Sequence, residues 1–214
     1  MKKLCAAGLC LVLALMMLGG CAKTPVAAGG DLTGAWEHTA RLEDLAAAVS
    51  TEQIAKIIPY FGLGDTEATL RFEFSEDGTY RVSILDAQKL HDRLWDNLVA
   101  GTKRLFTENA AKMGITLERI LEQRGMTLED LTEKLFSAEA IEAMFSANGS
   151  YETAEERLFL SDSADGEVNK GYYINYTAAG DTLTFTEIVG AEGKYQVLQQ
   201  MIRSFLPMEF TRAR

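Results

Sequence analysis

Thr69-Leu-Arg-Phe-Glu-Phe-Ser-Glu-Asp-Gly-Thr-Tyr-Arg-Val-Ser-Ile-Leu85 is the stretch on which the reading of the fold turns. Leu70, Phe72 and Phe74 alternate with Arg71, Glu73 and Ser75. After Glu76-Asp77-Gly78, Tyr80, Val82 and Ile84 alternate with Arg81 and Ser83. A period of two puts every apolar side chain on one face of a pleated strand. Asp-Gly between two such runs is the signal of a tight hairpin. A lone hairpin with one apolar face is marginal in water, so other strands must cover that face.

Upstream, Leu32 to Thr39 reads as a strand containing Gly34-x-Trp36. Helical spacing follows over about 41–58, in Leu42, Leu45 and Val49, then Ile54, Ile57 and Ile58, with Ser50 or Thr51 able to cap a second short helix. Pro59 is expected to end it, and Gly62 and Gly64 mark a loop. Downstream, over about 86–147, the period becomes helical. Leu90, Leu94, Leu98, Leu105 and Phe106 mark one side of a long helix, with Gly101 a weak point and His91-Asp92 on a solvated face. Gly114-Ile-Thr-Leu-Glu118 and Gly125-Met-Thr-Leu-Glu129 then repeat each other, each Gly ending a helix and each Thr capping the next. Ser137 caps a further helix over about 138–147.

Alternation then returns. Short strands are expected at 150–153 and 157–161, with a polar tip at Asp162 to Glu167. Tyr172, Ile174 and Tyr176 share a face, Ala179-Gly180-Asp181 turns the chain, and Leu183 and Phe185 alternate with threonines. A helix over about 193–206 precedes Pro207, and Met208, Phe210 and Arg212 lie on one face of a last strand. The count is about eight strands, the number at which an up-and-down barrel closes around side chains or one small ligand. The expected class is α+β: an antiparallel barrel of about eight strands, or a strongly curved sheet, with a helical insertion at about 86–147 and a helix before the final strand.

Gly34-x-Trp36, the Phe72-x-Phe74 hairpin ending in Asp77-Gly-Thr-Tyr80, Gly171-Tyr-Tyr173 and Gly180-Asp-Thr-Leu183 together resemble a lipocalin-like barrel. The resemblance implies that Trp36 packs across the closed end of the barrel against an arginine near the last strand, for which Arg212 is the candidate. Such stacking is worth about 0.5–2 kcal/mol. The long helical insertion, and a helix before rather than after the last strand, depart from the family's pattern.

The N-terminus is of another kind. Lys2 and Lys3 precede an uncharged run from Leu4 to Leu18, and Gly19-Gly20 lead to Cys21. That run suits a signal segment and falls short of the roughly 20 apolar residues of a spanning helix. Leu18-Gly-Gly-Cys21 resembles the lipobox of bacterial lipoproteins. The resemblance implies cleavage before Cys21, acylation of that cysteine, and an extracytoplasmic domain anchored to a bacterial membrane. Residues 1–20 are then the signal peptide, 21–31 the lipidated cysteine and a short tether, and 32–214 a single domain that includes the insertion. Cys5 and Cys10 leave with the signal, so the mature body has no free thiol for a disulfide, a zinc site or a nucleophile. Removing Lys2 and Lys3 and no acid sets 31 acidic against 19 basic residues, a net charge of −12. Such a surface disfavours nucleic acid.

No stretch combines the groups that catalysis needs. His38 and His91 are the two histidines, and neither stands in a metal-binding spacing. No Gly-x-Ser-x-Gly elbow or phosphate loop is present. Leu121 to Leu131 has the outline of half a helix-turn-helix, but the helix after it carries Glu139 and Glu142 and no base-reading side chain. Ser161-x-Ser-x-Asp165-Gly166 has the spacing of a calcium loop, yet Tyr172 stands where the bidentate glutamate belongs. Neither an enzyme, a metal nor a cofactor is therefore expected. Phe72, Phe74, Tyr80, Tyr172, Tyr176 and Phe185 are expected to face inward, as core or as the lining of a ligand site. Glu187 continues the face of Leu183 and Phe185, so it either points inward, where a carboxylate could orient a ligand, or lies at a rim where the strand has reached solvent. Two functions fit: a lipoprotein holding a small apolar ligand in or beside the barrel, or a structural lipoprotein with a filled core whose helical insertion contacts another envelope protein.

Overall fold

In the computed structural model, residues 31–49, 52–161, 163, 168, 170–190 and 201–214 are described. The leader, Cys21, the tether up to residue 30, the Ser50/Thr51 cap, most of the 162–167 tip and the first part of the helix at 193–206 lie outside the described residues.

The first alternating stretch forms β1 (Gly34–Arg41), and the diagnostic hairpin forms β2 (Glu67–Phe74) and β3 (Thr79–Ile84). Along β2 every second residue is buried, as the alternation of Leu70, Phe72 and Phe74 requires. Register follows from the turn: Phe74 sits opposite Tyr80 and Phe72 opposite Val82. Asp77 fixes that turn by accepting from the Thr79 backbone N–H at 2.9 Å. The later strands are β4 (Ala147–Ala154), β5 (Arg157–Leu160), β6 (Tyr173–Ala179), β7 (Thr182–Val189) and β8 (Met208–Arg212). Each pairs antiparallel with its sequence neighbours, and β8 returns to β1 to close an eight-stranded barrel. The chain thus adopts the closed, lipocalin-like alternative rather than an open curved sheet.

Closure has a geometric consequence. In an up-and-down barrel, alternate connections fall at the same end. The β2–β3, β4–β5 and β6–β7 connections are tight turns at the end where β1 begins. The β1–β2, β3–β4, β5–β6 and β7–β8 connections all fall at the opposite end and are long. The first contains α1 (Leu42–Val49), α2 (Glu52–Ala55) and a 3-10 helix (Ile58–Phe61). The second contains α3 (Ala87–Lys112), α4 (Leu117–Arg124), α5 (Leu128–Phe136) and α6 (Ala138–Phe145). These helices cap the open end of the barrel and share its core: Leu45, Leu90, Leu94 and Leu98 are buried together with Leu70, Phe72 and Phe210.

Three local expectations change in the folded chain. Pro59 does not end a helix. It stands in the first turn of the 3-10 helix, where a missing N–H costs nothing. Gly101 is not a weak point, because α3 runs unbroken through it. His91 is not on a solvated face. It is 8% exposed and lies beside Trp95, with its Nε2 3.2 Å from Glu133 Oε2 on α5. The helix caps at the glycine-threonine repeats form as local chemistry dictates. The Thr116 side chain accepts from Arg119 N, and Thr127 with Asp130 makes a reciprocal capping box.

Candidate functional site

At the closed end, the Trp36 ring is fully buried and its Nε1–H donates to Leu32 O at 2.7 Å. The Arg212 guanidinium lies 4.2 Å from the ring centroid and donates through Nη1 to Thr33 O at 2.8 Å. The structure thus brings Trp36 and Arg212 together. Gly34 makes room for them: its φ is +115, and a Cβ there would come 2.9 Å from Arg212 Nη1. This end is sealed by a flat ring under a flat cation, and two chain segments hold it.

Aromatic rings pack against one another inside the barrel. Phe72, Phe185 and Phe210 meet edge-on, with centroids 4.9–5.8 Å apart. Phe74 adds a contact to Phe72 at 6.4 Å and to Tyr151 at 5.0 Å. Tyr80, Tyr172 and Tyr176 are also buried. Burial pushes the Tyr176 hydroxyl above its ordinary range, against a hydrogen bond with Thr153 that pulls it back. Of the six aromatic candidates, Phe72 packs on both Phe74 and Phe185, Tyr80 and Tyr176 belong to the same buried core, and Tyr172 is buried outside it. Glu187 is not placed inward. A bulge at Asn175/Tyr176 shifts the register of β6 on β7, so the alternation set by Leu183 and Phe185 is lost after Thr186. Glu187 is exposed and accepts from Asn175 Nδ2 at 3.0 Å, while Ile188 packs on the core.

His38 lies toward the open end. Its Nδ1 is 2.7 Å from Glu209 O, so that nitrogen carries the proton. Its ring meets Phe205 and Phe210 at 5.4 and 5.6 Å. It bridges β1 and β8 above the short stretch where the two strands pair, Trp36–Arg212 and Glu37–Thr211.

Among the described residues, a feature suited to an apolar ligand lies outside the lumen, in the cap. A cleft of about 100 Å³ is lined by Leu42 and Ala46 of α1, Ile57, Ile58, Phe61 and Leu63 around the 3-10 helix, Leu94 and Leu98 of α3, Phe136 of α5, and Ile141, Met144 and Phe145 of α6. No polar side chain lines it. Two separate connections make its walls, and specific contacts hold them together. The Leu42 N–H donates to Thr66 O at 2.7 Å, closing the β1–β2 connection on itself. Asn97 Nδ2 on α3 donates to Gly62 O at 2.9 Å, Arg104 donates to Tyr60 O, and Tyr60 Oη donates to Glu108 at 2.5 Å. Phe61 packs edge-on against Phe136, at 4.7 Å. Gly101 allows this approach, since a Cβ there would fall 2.4 Å from Phe61 Cδ1. Met144 is 44% exposed and stands where the cleft meets solvent.

Sequence reasoning assigned these positions to ordinary helix faces and missed the cleft. The available signal was excess apolar width: Leu135 with Phe136, and Ile141 with Met144 and Phe145, cover more of each helix than one packing partner requires. No group of His, Cys, Asp and Glu among the described residues is arranged to hold a metal ion. No described helix is long and apolar enough to cross a membrane. Comparison with protein-family models, with curated proteins and with solved structures finds no match.

Proposed function

We propose that the chain is an extracytoplasmic lipoprotein, anchored to a bacterial membrane through acyl chains on Cys21, that holds a small apolar ligand beside its barrel rather than inside it. The observation that carries the ligand part is the cleft: twelve lining residues from five segments, none of them polar, open at Met144. Water gains no hydrogen bonds there, and apolar cavities of roughly 150 Å³ are known to stay dry and take up benzene or xenon. The cleft suits one aromatic ring or a short branched alkyl group, either free or at the end of a larger molecule. The anchor part rests on the charged start, the apolar run and Leu18-Gly-Gly-Cys21. Nothing in this reading calls for a catalytic group, a cofactor or a nucleic acid.

Fluorine NMR of fluorobenzene with the mature domain tests the cleft. The expected result is a shifted, saturable resonance that Ala46→Phe abolishes, because the new ring fills the space. A resonance unaffected by that substitution rules the cleft out as the binding place. Native mass spectrometry of the purified protein then reports any ligand carried from the cell. Mass measurement of the N-terminal peptide reports the acyl chains.

A second reading has its own support. Leu135 and Met144 are 43% and 44% exposed on neighbouring helices of the insertion, while the barrel core is packed with rings. An envelope protein inserting an apolar side chain at Met144 would use the same cleft as an anchor point. Photo-crosslinkers at positions 135 and 144 in cells distinguish the two readings. Capture of one defined protein band supports a partner, and no band leaves the small ligand.

A further inference from the structure

The two ends of the barrel differ in every respect that matters to a tethered domain. The chain enters at the closed end, where Arg212 Nη1 and Nη2 hold Thr33 O and Asp31 O at 2.8 and 3.4 Å. The turns of that end carry Glu76, Asp77, Glu155, Glu156 and Asp181, all exposed. The β1–β2 connection and the start of α3 leave from the other end of the strands, and α6 returns alongside β3, where Glu142 meets Arg81 at 3.4 Å.

Cys21 lies ten residues before Asp31. Ten residues reach about 35 Å at full extension. β1 has eight residues, about 25 Å of strand. A layer of helix adds about 10 Å. Laying the cap on the bilayer would therefore need the connecting residues drawn out alongside the whole barrel. Standing on the closed end needs almost none of that length. Those five carboxylates outnumber the exposed Arg157 and Arg214 at the same end, and the excess is repelled by anionic lipid within a Debye length, about 10 Å at 0.1 M salt. The closed end thus faces the surface without docking on it.

We infer that the domain stands closed end toward the membrane, so that the cleft takes its occupant from the aqueous side and not from the bilayer that anchors it. This rests on the acylation of Cys21 proposed above. The cap is then the surface offered to water-borne solutes and proteins, and the anchoring lipids are out of its reach.

The chain has no cysteine after Cys21, and acylation blocks that thiol, so one introduced cysteine carries one dye. Glu76→Cys marks a closed-end turn and Lys56→Cys marks the β1–β2 connection next to Ile57 of the cleft; both positions are exposed. The full lipidated protein is placed in vesicles of phosphatidylethanolamine and phosphatidylglycerol with an acceptor dye on the headgroups. Energy transfer is expected to be at least roughly threefold stronger from position 76 than from 56, given about 25 Å of strand between the two ends. Equal or reversed transfer, with acyl chains on Cys21 verified by mass, overturns the orientation and leaves the anchor standing. A mature protein without acyl chains overturns the anchor, and the orientation with it.

Discussion

Arg212 shows how much one side chain does at the closed end: it covers the Trp36 ring and holds the carbonyls of Thr33 and Asp31. Arg212→Ala removes the cation–π contact and both hydrogen bonds, and is expected to cost about 1–3 kcal/mol in urea unfolding. Arg212→Lys should recover only part, since an ammonium offers no flat face to the indole. A lysine variant as stable as the wild type would mean that charge alone matters there. Tyr151 and Tyr176 report on the lumen, because burial raises both hydroxyls above the ordinary tyrosine range. Both are neutral in the folded protein at a pH where the unfolded chain ionises. Their contribution is intact below the unfolded value near pH 10 and is lost as pH rises from there toward the raised folded values. Stability measured across that window should fall, and Tyr176→Phe should make the fall shallower. Glu187 shows the limit of reading parity at this scale. Its alternation with Phe185 is plain in the sequence, but one bulge in the pairing with β6 turns it outward.

Gly101 carries the argument at the scale of the element. In isolation, Gly→Ala inside a helix gains about 1 kcal/mol. On α3 the added Cβ would fall 2.4 Å from Phe61 Cδ1 and 2.9 Å from Phe61 Cα, which belong to another connection. Gly101→Ala should therefore destabilise by about 1–3 kcal/mol on thermal melting, as overpacking does, and should loosen the cleft wall that Phe61 supplies. A stabilised variant would show that the 3-10 helix moves away freely. The α4–α5 repeat behaves in the opposite way, because its energetics are local. Thr127→Ala removes one half of a capping box and should cost about 1 kcal/mol, with little effect on fluorobenzene binding. Strands and helix caps were legible in the sequence because alternation and capping are decided within a few residues. His91 was misjudged because Glu133, from another helix, helps decide its burial, and Pro59 because it begins a 3-10 helix that apolar spacing does not announce.

Across the whole molecule, the up-and-down order of the strands sorts the connections. Three tight turns and the Trp36 plug seal one end, and the helix-bearing β1–β2 and β3–β4 connections leave from the other. The cleft arises there because the β1–β2 and β3–β4 connections meet over the mouth without filling the space between them. Ile141→Ala should widen that space and speed exchange of fluorobenzene, at a cost of about 2–5 kcal/mol for a buried aliphatic truncation. If thermal melting shows a loss below that range, the site collapses on the gap. The amino-acid sequence by itself determined eight alternating segments, their inward faces, the helical insertion and the thiol-free, acidic body, since each depends on periodicity or composition. Only the tertiary structure decided that the barrel closes, that aromatic residues pack inside it, that Glu187 turns outward, and that a cleft free of polar lining opens between helices distant in the chain. Those outcomes depend on register and on which surfaces meet, and both are set by contacts that no local pattern encodes.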